Sequence, residues 1–192
     1  MLKIADGTGS GSEAKVTDDN ELVTLSTSQC MSLKASIDGR AFGITTPLLT
    51  ITTTGGRVLW LTNTSDTKNV YIWSLAYAWN GGSTNYNKPL EAKMVVGDTE
   101  PTTNTTDYTA ICINTGKQTT FQIDAKYWDE VGDGMTGYTA GAEWLPQFIP
   151  VGTHVLETLG SIIVSPSAKL SVNLKAIGEV GEASIGLLGY VD

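Results

Sequence analysis

The chain has few of the residue types that acid–base and metal chemistry require. Among its 192 residues there is one histidine, His154, and there are two cysteines, Cys30 and Cys112. A zinc site therefore lacks ligands, and a nucleophilic triad has one histidine to draw on, with no Gly-x-Ser-x-Gly elbow beside it. We expect no catalytic residue, no metal and no cofactor, and the sequence predicts a protein that is not an enzyme.

Basic residues are also scarce. Twelve Lys and Arg stand against 20 Asp and Glu, which gives a net charge of −8, and no basic cluster interrupts this balance. Nucleic-acid binding needs concentrated positive charge, so the sequence argues against it. No apolar run is long enough for a signal peptide or a membrane span, and we expect a soluble product that starts in the cytoplasm, with reduced and buried cysteines favoured over a disulfide.

The acidic residues at 124–143 could form a functional site in two ways, as alternatives to a solvated loop. A carboxylate pair of the kind that cleaves sugars, and an oxygen site for Ca²⁺ at 129–134, would draw on the same region. The segment lacks the spacing of an EF-hand loop, and solvated acidic loops are much commoner than active sites. The carboxylates concerned are Asp124, Asp129, Glu130, Asp133 and Glu143.

One segment, 70–79, alternates strictly as a β-strand does. Its alternation predicts one bulky face and one small apolar face, so that both faces need a cover. The bulky face could be an exposed platform for stacking sugars, but core packing or a subunit interface is the favoured interpretation. The bulky residues are Tyr71, Trp73, Leu75, Tyr77 and Trp79, and we take Tyr71, Trp73, Tyr77 and Trp79 as interface candidates.

Turn-forming residues recur at short intervals after residue 21, and 21 glycines favour short strands joined by turns. About ten strands predict an all-β fold, an antiparallel β-sandwich with jelly-roll topology as the favoured arrangement. Pro47 bends the third strand or places it at an edge. Residues 109–113 and 119–123 are predicted to form a hairpin around Gly116. The predicted strands are 22–26, 32–37, 42–53, 58–63, 70–79, 92–96, 109–113, 119–123, 170–176 and 183–191.

Residues 1–21 are rich in Gly, Ser, Thr and Asp and have no apolar periodicity. We predict an extended N-terminal arm over 1–21, either disordered or ordered against a neighbouring subunit, ahead of a β-sandwich domain over 22–192. The candidate contact residues of this arm and of its junction are Asp6, Gly7, Val16 and Leu22. Two long polar loops, 97–107 and 128–141, are further candidates for partner contacts.

Several segments resemble structural proteins of tailed bacteriophage particles. They are 38–44 (DGRAFGI), 58–65 (VLWLTNTS) and 69–72 (NVYI), with shorter pieces at 6–11, 14–16, 20–22, 145–146 and 150–153. These motifs are spread along the chain and mostly mark turns. The resemblance implies a β-sandwich subunit on the capsid surface of the virion, made in the host cytoplasm, that decorates or cements the head.

The resemblance also implies the partners. It implies contacts with the major capsid protein lattice and self-association as a homotrimer, with no nucleic acid and no membrane involved. A receptor- or carbohydrate-binding module of a phage tail or fibre is the alternative, and it would need aromatic side chains exposed in a concave groove. The solvent accessibility of the aromatic residues at 71–79 therefore discriminates between the two hypotheses.

Overall fold

The computed structural model describes residues 3–5, 13–16, 22–23, 31–82, 88–117 and 120–192. Contacts divide the chain into two compact units, Met1–Cys30 and Met31–Asp192. In the first unit, β1 (Lys3–Ala5), β2 (Glu13–Val16) and β3 (Leu22–Val23) form an antiparallel sheet in that order. The rest of the segment 1–21 lies outside the described residues, so the extended arm stays a prediction.

The described part of the second unit contains one short helix and twelve strands. They are α1 (Met31–Ile37), β4 (Ala41–Thr45), β5 (Leu49–Ile51), β6 (Gly56–Asn63), β7 (Val70–Gly82), β8 (Leu90–Val96), β9 (Thr105–Tyr108), β10 (Ile111–Cys112), β11 (Ile123–Trp128), β12 (Ala142–Ile149), β13 (Gly152–Val164), β14 (Lys169–Ala176) and β15 (Gly181–Val191).

These strands form two six-stranded antiparallel sheets. Sheet I has the order β10-β4-β15-β7-β13, with β5 also paired to β15, and sheet II has the order β12-β8-β14-β6-β11-β9. One apolar core joins the sheets, with Phe42 and Leu75 from sheet I and Leu61, Met94 and Leu174 from sheet II. The predicted all-β antiparallel sandwich is confirmed. Sheet-on-sheet burial of alternating side chains, as along β14, explains why the period-2 pattern located these strands.

The predicted two faces of β7 are wrong because the strand contains a bulge. Leu188 of β15 pairs with Ser74, but the next residue, Gly189, pairs with Ile72, so Trp73 is the extra residue. A bulge of this kind shifts the side-chain alternation by one position. Before the bulge the core-facing residues of β7 are Val70 and Ile72, and after it they are Leu75, Tyr77 and Trp79.

The predicted strand at 32–37 is also wrong, because these residues belong to α1. Six residues of polar and apolar alternation are too few to separate the two structures, and Leu, Lys and Ala are good helix formers. The helix ends at Ile37 and is followed by Gly39, whose φ of 74° suits glycine, and the amide of Arg40 donates to the Ala35 carbonyl at 2.8 Å. The side chain of Asn114 caps the same end, donating to the carbonyl of Ser36 at 3.0 Å.

The hairpin predicted around Gly116 is not found among the described residues of 109–123. β10 pairs with β4 in sheet I, whereas β11, which begins at Ile123, pairs with β6 and β9 in sheet II. The chain thus passes from one sheet to the other between these two strands. The predicted strand 42–53 is divided into β4 and β5 around Pro47, and the sequence patterns missed β9, β12 and β13.

Candidate functional site

The four aromatic interface candidates do not lie together on one surface. Tyr77 and Trp79 are each 2% exposed in the core between the sheets, where burial raises the pKa of Tyr77 to about 12. The indole of Trp79 donates to the carbonyl of Lys88 at 2.8 Å. Tyr71 and Trp73 are half-buried on the outer face of sheet I. The bulge in β7 therefore divides the predicted aromatic face between two sides of the sheet.

The outer face of sheet I is covered by α1 at one end. Ala35 of the helix, Ala41 and Tyr190 form a small buried cluster, against which Tyr71 and Trp73 pack. The rings of Tyr71 and Tyr190 stack with their centroids 4.9 Å apart. Beyond this cluster, the same face carries small, half-buried residues, Ala76, Ala78, Ser184 and Gly186. The helix therefore supplies a cover for part of the second face of β7.

The N-terminal candidates lie in the first unit. Val16 of β2 pairs with Leu22 of β3, so these two positions share a sheet. Asp6 and Gly7 lie outside the described residues.

A buried cluster that contains two charged side chains lies on the outer side of sheet II. Arg57 of β6 and Asp98, which follows β8, form a buried ion pair with Nε 2.7 Å from Oδ2. Asp98 also accepts hydrogen bonds from the hydroxyl of Ser171 and, at 2.6 Å, from the amide of Gly141. The ring of Tyr138 lies over the guanidinium of Arg57, 5.5 Å from its centroid. The cluster thus joins three neighbouring strands to the loop 129–141.

The partners of Asp98 stabilise its charged form although the side chain is buried. Burial by itself would raise the pKa of Asp98, but hydrogen bonds from Arg57, Ser171 and Gly141, together with the guanidinium charge, hold it below its ordinary value. Both charged groups are at most 6% exposed. A carboxylate that is fixed in this way holds the two long loops on the sheet, and we assign the cluster a structural role.

Two other carboxylates of the acidic region have partners of their own, whereas Glu143 lies beside the buried pair, with its Oε1 4.0 Å from Nη1 of Arg57. Glu130 Oε1 accepts from the amide of Thr50 at 2.7 Å, and Asp129 Oδ1 accepts from the amide of Val131 at 3.0 Å. Glu143 lies 3.1 Å from the ammonium of Lys93. Within the described ranges, no group of three or more His, Cys, Asp or Glu side chains is placed to hold a metal ion. The same part of the chain contains no helix long and apolar enough to cross a membrane.

His154 and the thiol of Cys112 lie on the two end strands of sheet I, β13 and β10. His154 lies on β13 opposite Tyr77, and its buried Nε2 has no hydrogen-bond partner among the described residues. Cys112 is a free, half-buried thiol on β10, 3.5 Å from the carbonyl of Asn114. Cys30 lies outside the described residues.

An apolar flank is the feature that sequence patterns missed. Among the described residues, β12 pairs with β8 alone and β13 pairs with β7 alone, so both are edge strands, joined by the turn at 150–151. We call the surface formed by these two strands the β12–β13 flank. Its large apolar side chains are exposed, with Phe148 at 66% and Val155 at 59%; the others are Trp144, Val151 and Ile163.

A groove of about 280 Å³ lies on the same flank. Ile162 and Val164 of β13, Val96 of β8 and Leu170 of β14 line it, and Lys169 lies at its wall. Exposed apolar patches on soluble proteins commonly mark contact sites for other proteins. The alternation that reveals strands cannot show this flank, because exposure at an edge depends on strand order.

Comparisons with known proteins give no further assignment. No protein-family model matches the sequence, and searches of curated proteins and of solved structures found no match.

Proposed function

We propose that this chain is a virion structural protein that decorates a bacteriophage capsid and stabilises it by protein–protein contacts. The β12–β13 flank is the observation that supports the proposal. Two edge strands there expose Trp144, Phe148, Val155 and Ile163 on a chain whose net charge of −8 otherwise favours solvation. Aromatic and aliphatic side chains of this kind contribute most of the energy of protein interfaces. The proposal assigns the protein no catalytic step.

The strand order supports a jelly roll within the proposal. Eight strands are paired as nested partners: β4 with β15, β6 with β14, β7 with β13, and β8 with β12. Such nesting is what a long hairpin produces when it rolls into two sheets, and capsid proteins are among the users of this fold. The fold alone does not specify a function, so the argument for decoration depends on the exposed flank and on the resemblance.

In this proposal the N-terminal segment attaches the protein to the major capsid protein lattice. The candidate residues Asp6, Gly7, Val16 and Leu22 belong to a stretch with too few apolar residues to form a core of its own. Ordering such a segment costs about 1 to 2 kcal/mol per residue, so contacts on a neighbour must offset that cost. The resemblance implies a homotrimer on the virion surface.

The receptor- or carbohydrate-binding alternative receives less support. It requires aromatic rings exposed in a concave groove, but Tyr77 and Trp79 are buried and Tyr71 stacks on Tyr190. A sugar platform would therefore have to use other side chains than the predicted stripe.

Co-sedimentation with phage heads that lack this protein tests the proposal. The full chain should bind such heads and raise their resistance to heat. Deletion of residues 1–20 should leave the circular dichroism spectrum strand-rich and weaken binding. Equal binding by the truncated chain would contradict the role of the arm, and binding to host glycans without binding to heads would replace the proposal with the receptor-binding alternative.

A further inference from the structure

One stretch of the β12–β13 flank has a free strand edge. Residues 152–157 of β13 pair in unbroken register with residues 79–74 of β7, from Gly152 opposite Trp79 to Glu157 opposite Ser74. On their other side no strand of the described chain is paired with them. Backbone donors and acceptors along this edge are therefore available to another strand.

Neighbouring stretches of the same flank are protected from such pairing. β12 contains Pro146 within a register shift between Trp144 and Gln147, and β13 has a register shift between Glu157 and Ile162. Proline residues and bulges are the usual devices that prevent edge strands from pairing. The stretch 152–157 has neither, no lysine, and a single charged residue at its end, Glu157.

The charge pattern of this stretch suits an identical strand. In an antiparallel pair centred on Val155, the two Val155 side chains lie opposite each other, Thr153 faces Glu157 and His154 faces Leu156. No two like charges meet across the pair, which is the arrangement that stabilises antiparallel strands. Identical strands related by a two-fold axis form a self-complementary contact that closes with two copies.

The size of this contact suits a pair that forms at high concentration. With the two-fold axis at Val155, residues 152–158 of each β13 lie opposite one another, over a length of about 23 Å at about 3.3 Å each. Two stacked sheets with their side chains give a width of about 20 Å, so the contact would bury roughly 450 Å² on each copy, at the low end for specific protein contacts. Val155 and Ile163 lie on the same outer face of sheet I, because their partners on β7 are Ala76 and Tyr71, and Phe148 of β12 stands two residues before the turn at 150–151.

We infer that the β12–β13 flank is the contact between two copies of this chain, which pair their β13 strands antiparallel across a two-fold axis centred on Val155. The inference deepens the proposed function by naming the self-association surface, and it replaces the three-fold arrangement that the resemblance implies with a two-fold one. With the flank used between copies, contact with the capsid is left to the N-terminal segment, so head binding and self-association are separate properties.

Sedimentation equilibrium on the full chain tests the inference. The wild-type protein should show twice the chain mass of 20.4 kDa at high micromolar concentration. The variant Val155→Lys places two ammonium groups opposite each other and should weaken association roughly tenfold or more. Val131→Lys is the matched control, because Val131 is 58% exposed in the loop 129–141, against 59% for Val155. It should associate as the wild type does.

A charge-swap experiment tests whether the two Val155 side chains face each other at the two-fold axis. Val155→Glu should also associate poorly by itself, whereas an equimolar mixture of Val155→Lys and Val155→Glu should form pairs again. Matching circular dichroism spectra show that all variants fold. A wild-type monomer, a trimer mass, equal loss of association by Val131→Lys, or no recovery in the mixture would each overturn the inference. A monomer that still binds heads would contradict the inference but not the proposed function. A pair that binds no heads would contradict the proposed function but not the inference.

Discussion

The outer side of sheet II around Asp98 is covered by a loop of the same chain, whereas the β12–β13 flank is left exposed. Around Asp98 the chain folds the loop 129–141 back over its own strands, and Asp98 there pairs with the buried Arg57 and accepts hydrogen bonds from Ser171 and Gly141. On the flank, the edge strands keep Phe148 and Val155 exposed. A chain that can cover one sheet surface with its own loops leaves another open, and the open one is the better candidate for contact with other subunits.

The largest expected loss of stability comes from breaking the buried ion pair between Arg57 and Asp98. Asp98→Ala leaves the buried guanidinium of Arg57 with only the half-exposed Glu143, 4.0 Å away, so the free energy of unfolding should fall by about 3 kcal/mol in urea titrations. Asp107→Ala is the matched control, because Asp107 also pairs with a cation, Lys126 at 2.7 Å, but is 86% exposed. It should cost less than about 1 kcal/mol. Equal losses in the two variants would contradict the structural role of the buried pair.

A smaller loss is expected where the covering loop touches the sheet. A Cβ atom at Gly56 would lie 1.8 Å from the carbonyl oxygen of Asp133, so Gly56→Ala must displace the loop, and we expect a loss of roughly 2 kcal/mol. At Gly186 the nearest atom to an added Cβ is 3.6 Å away. Gly186→Ala should therefore leave the unfolding free energy within about 1 kcal/mol of wild type. Similar stability of both variants would show that the loop does not hold this contact.

The pH dependence of stability should also identify the covered region. The pKa of Asp98 is lowered in the folded protein, so its stabilising contribution is complete above the unfolded value of about 3.9 and is lost as the pH falls through the folded value. The difference in unfolding free energy between wild type and Asp98→Asn should then shrink between neutral pH and pH values below about 4. A difference that grows on acidification would contradict this sign.

The smallest effect on stability is expected on the open flank. Phe148 is 66% exposed on β12, so Phe148→Ser should change the unfolding free energy of the separate chain by no more than about 0.5 kcal/mol, measured at low concentration. At high concentration, where copies associate, the same variant should be less stable than wild type. A large loss at low concentration would mean that Phe148 belongs to the fold of the single chain.

The sequence was sufficient for the fold class and for the strands whose two faces differ. Along β14, buried Leu170, Val172, Leu174 and Ala176 alternate with more exposed positions, apart from Ser171 under the loops, and the pattern located this strand within one residue. β6, whose residues are buried on both faces, and β15 were located as segments bounded by turn-forming residues. These strands lie inside their sheets, and along β14 burial on one face dictates the side-chain pattern.

The remaining elements depend on neighbours that are distant in the chain. The bulge at Trp73 is defined by its pairing with β15, more than a hundred residues away, so strict alternation wrongly placed Tyr71 and Trp73 on the same face as Tyr77 and Trp79. The predicted carboxylates gave no common site, since Asp124 on β11 and Glu143 on β12 are separated by three strands of sheet II. The flank could not be foreseen, because an edge is a property of strand order and not of the residues in β12 or β13.

Backbone amide hydrogen exchange at low and high protein concentration tests most directly the claim that the flank is left open for another subunit. The account predicts that residues 152–157 become more protected as concentration rises, while residues 105–108 of β9, an edge strand of sheet II, do not change. Protection of 152–157 that is independent of concentration, or that rises equally at 105–108, would contradict it.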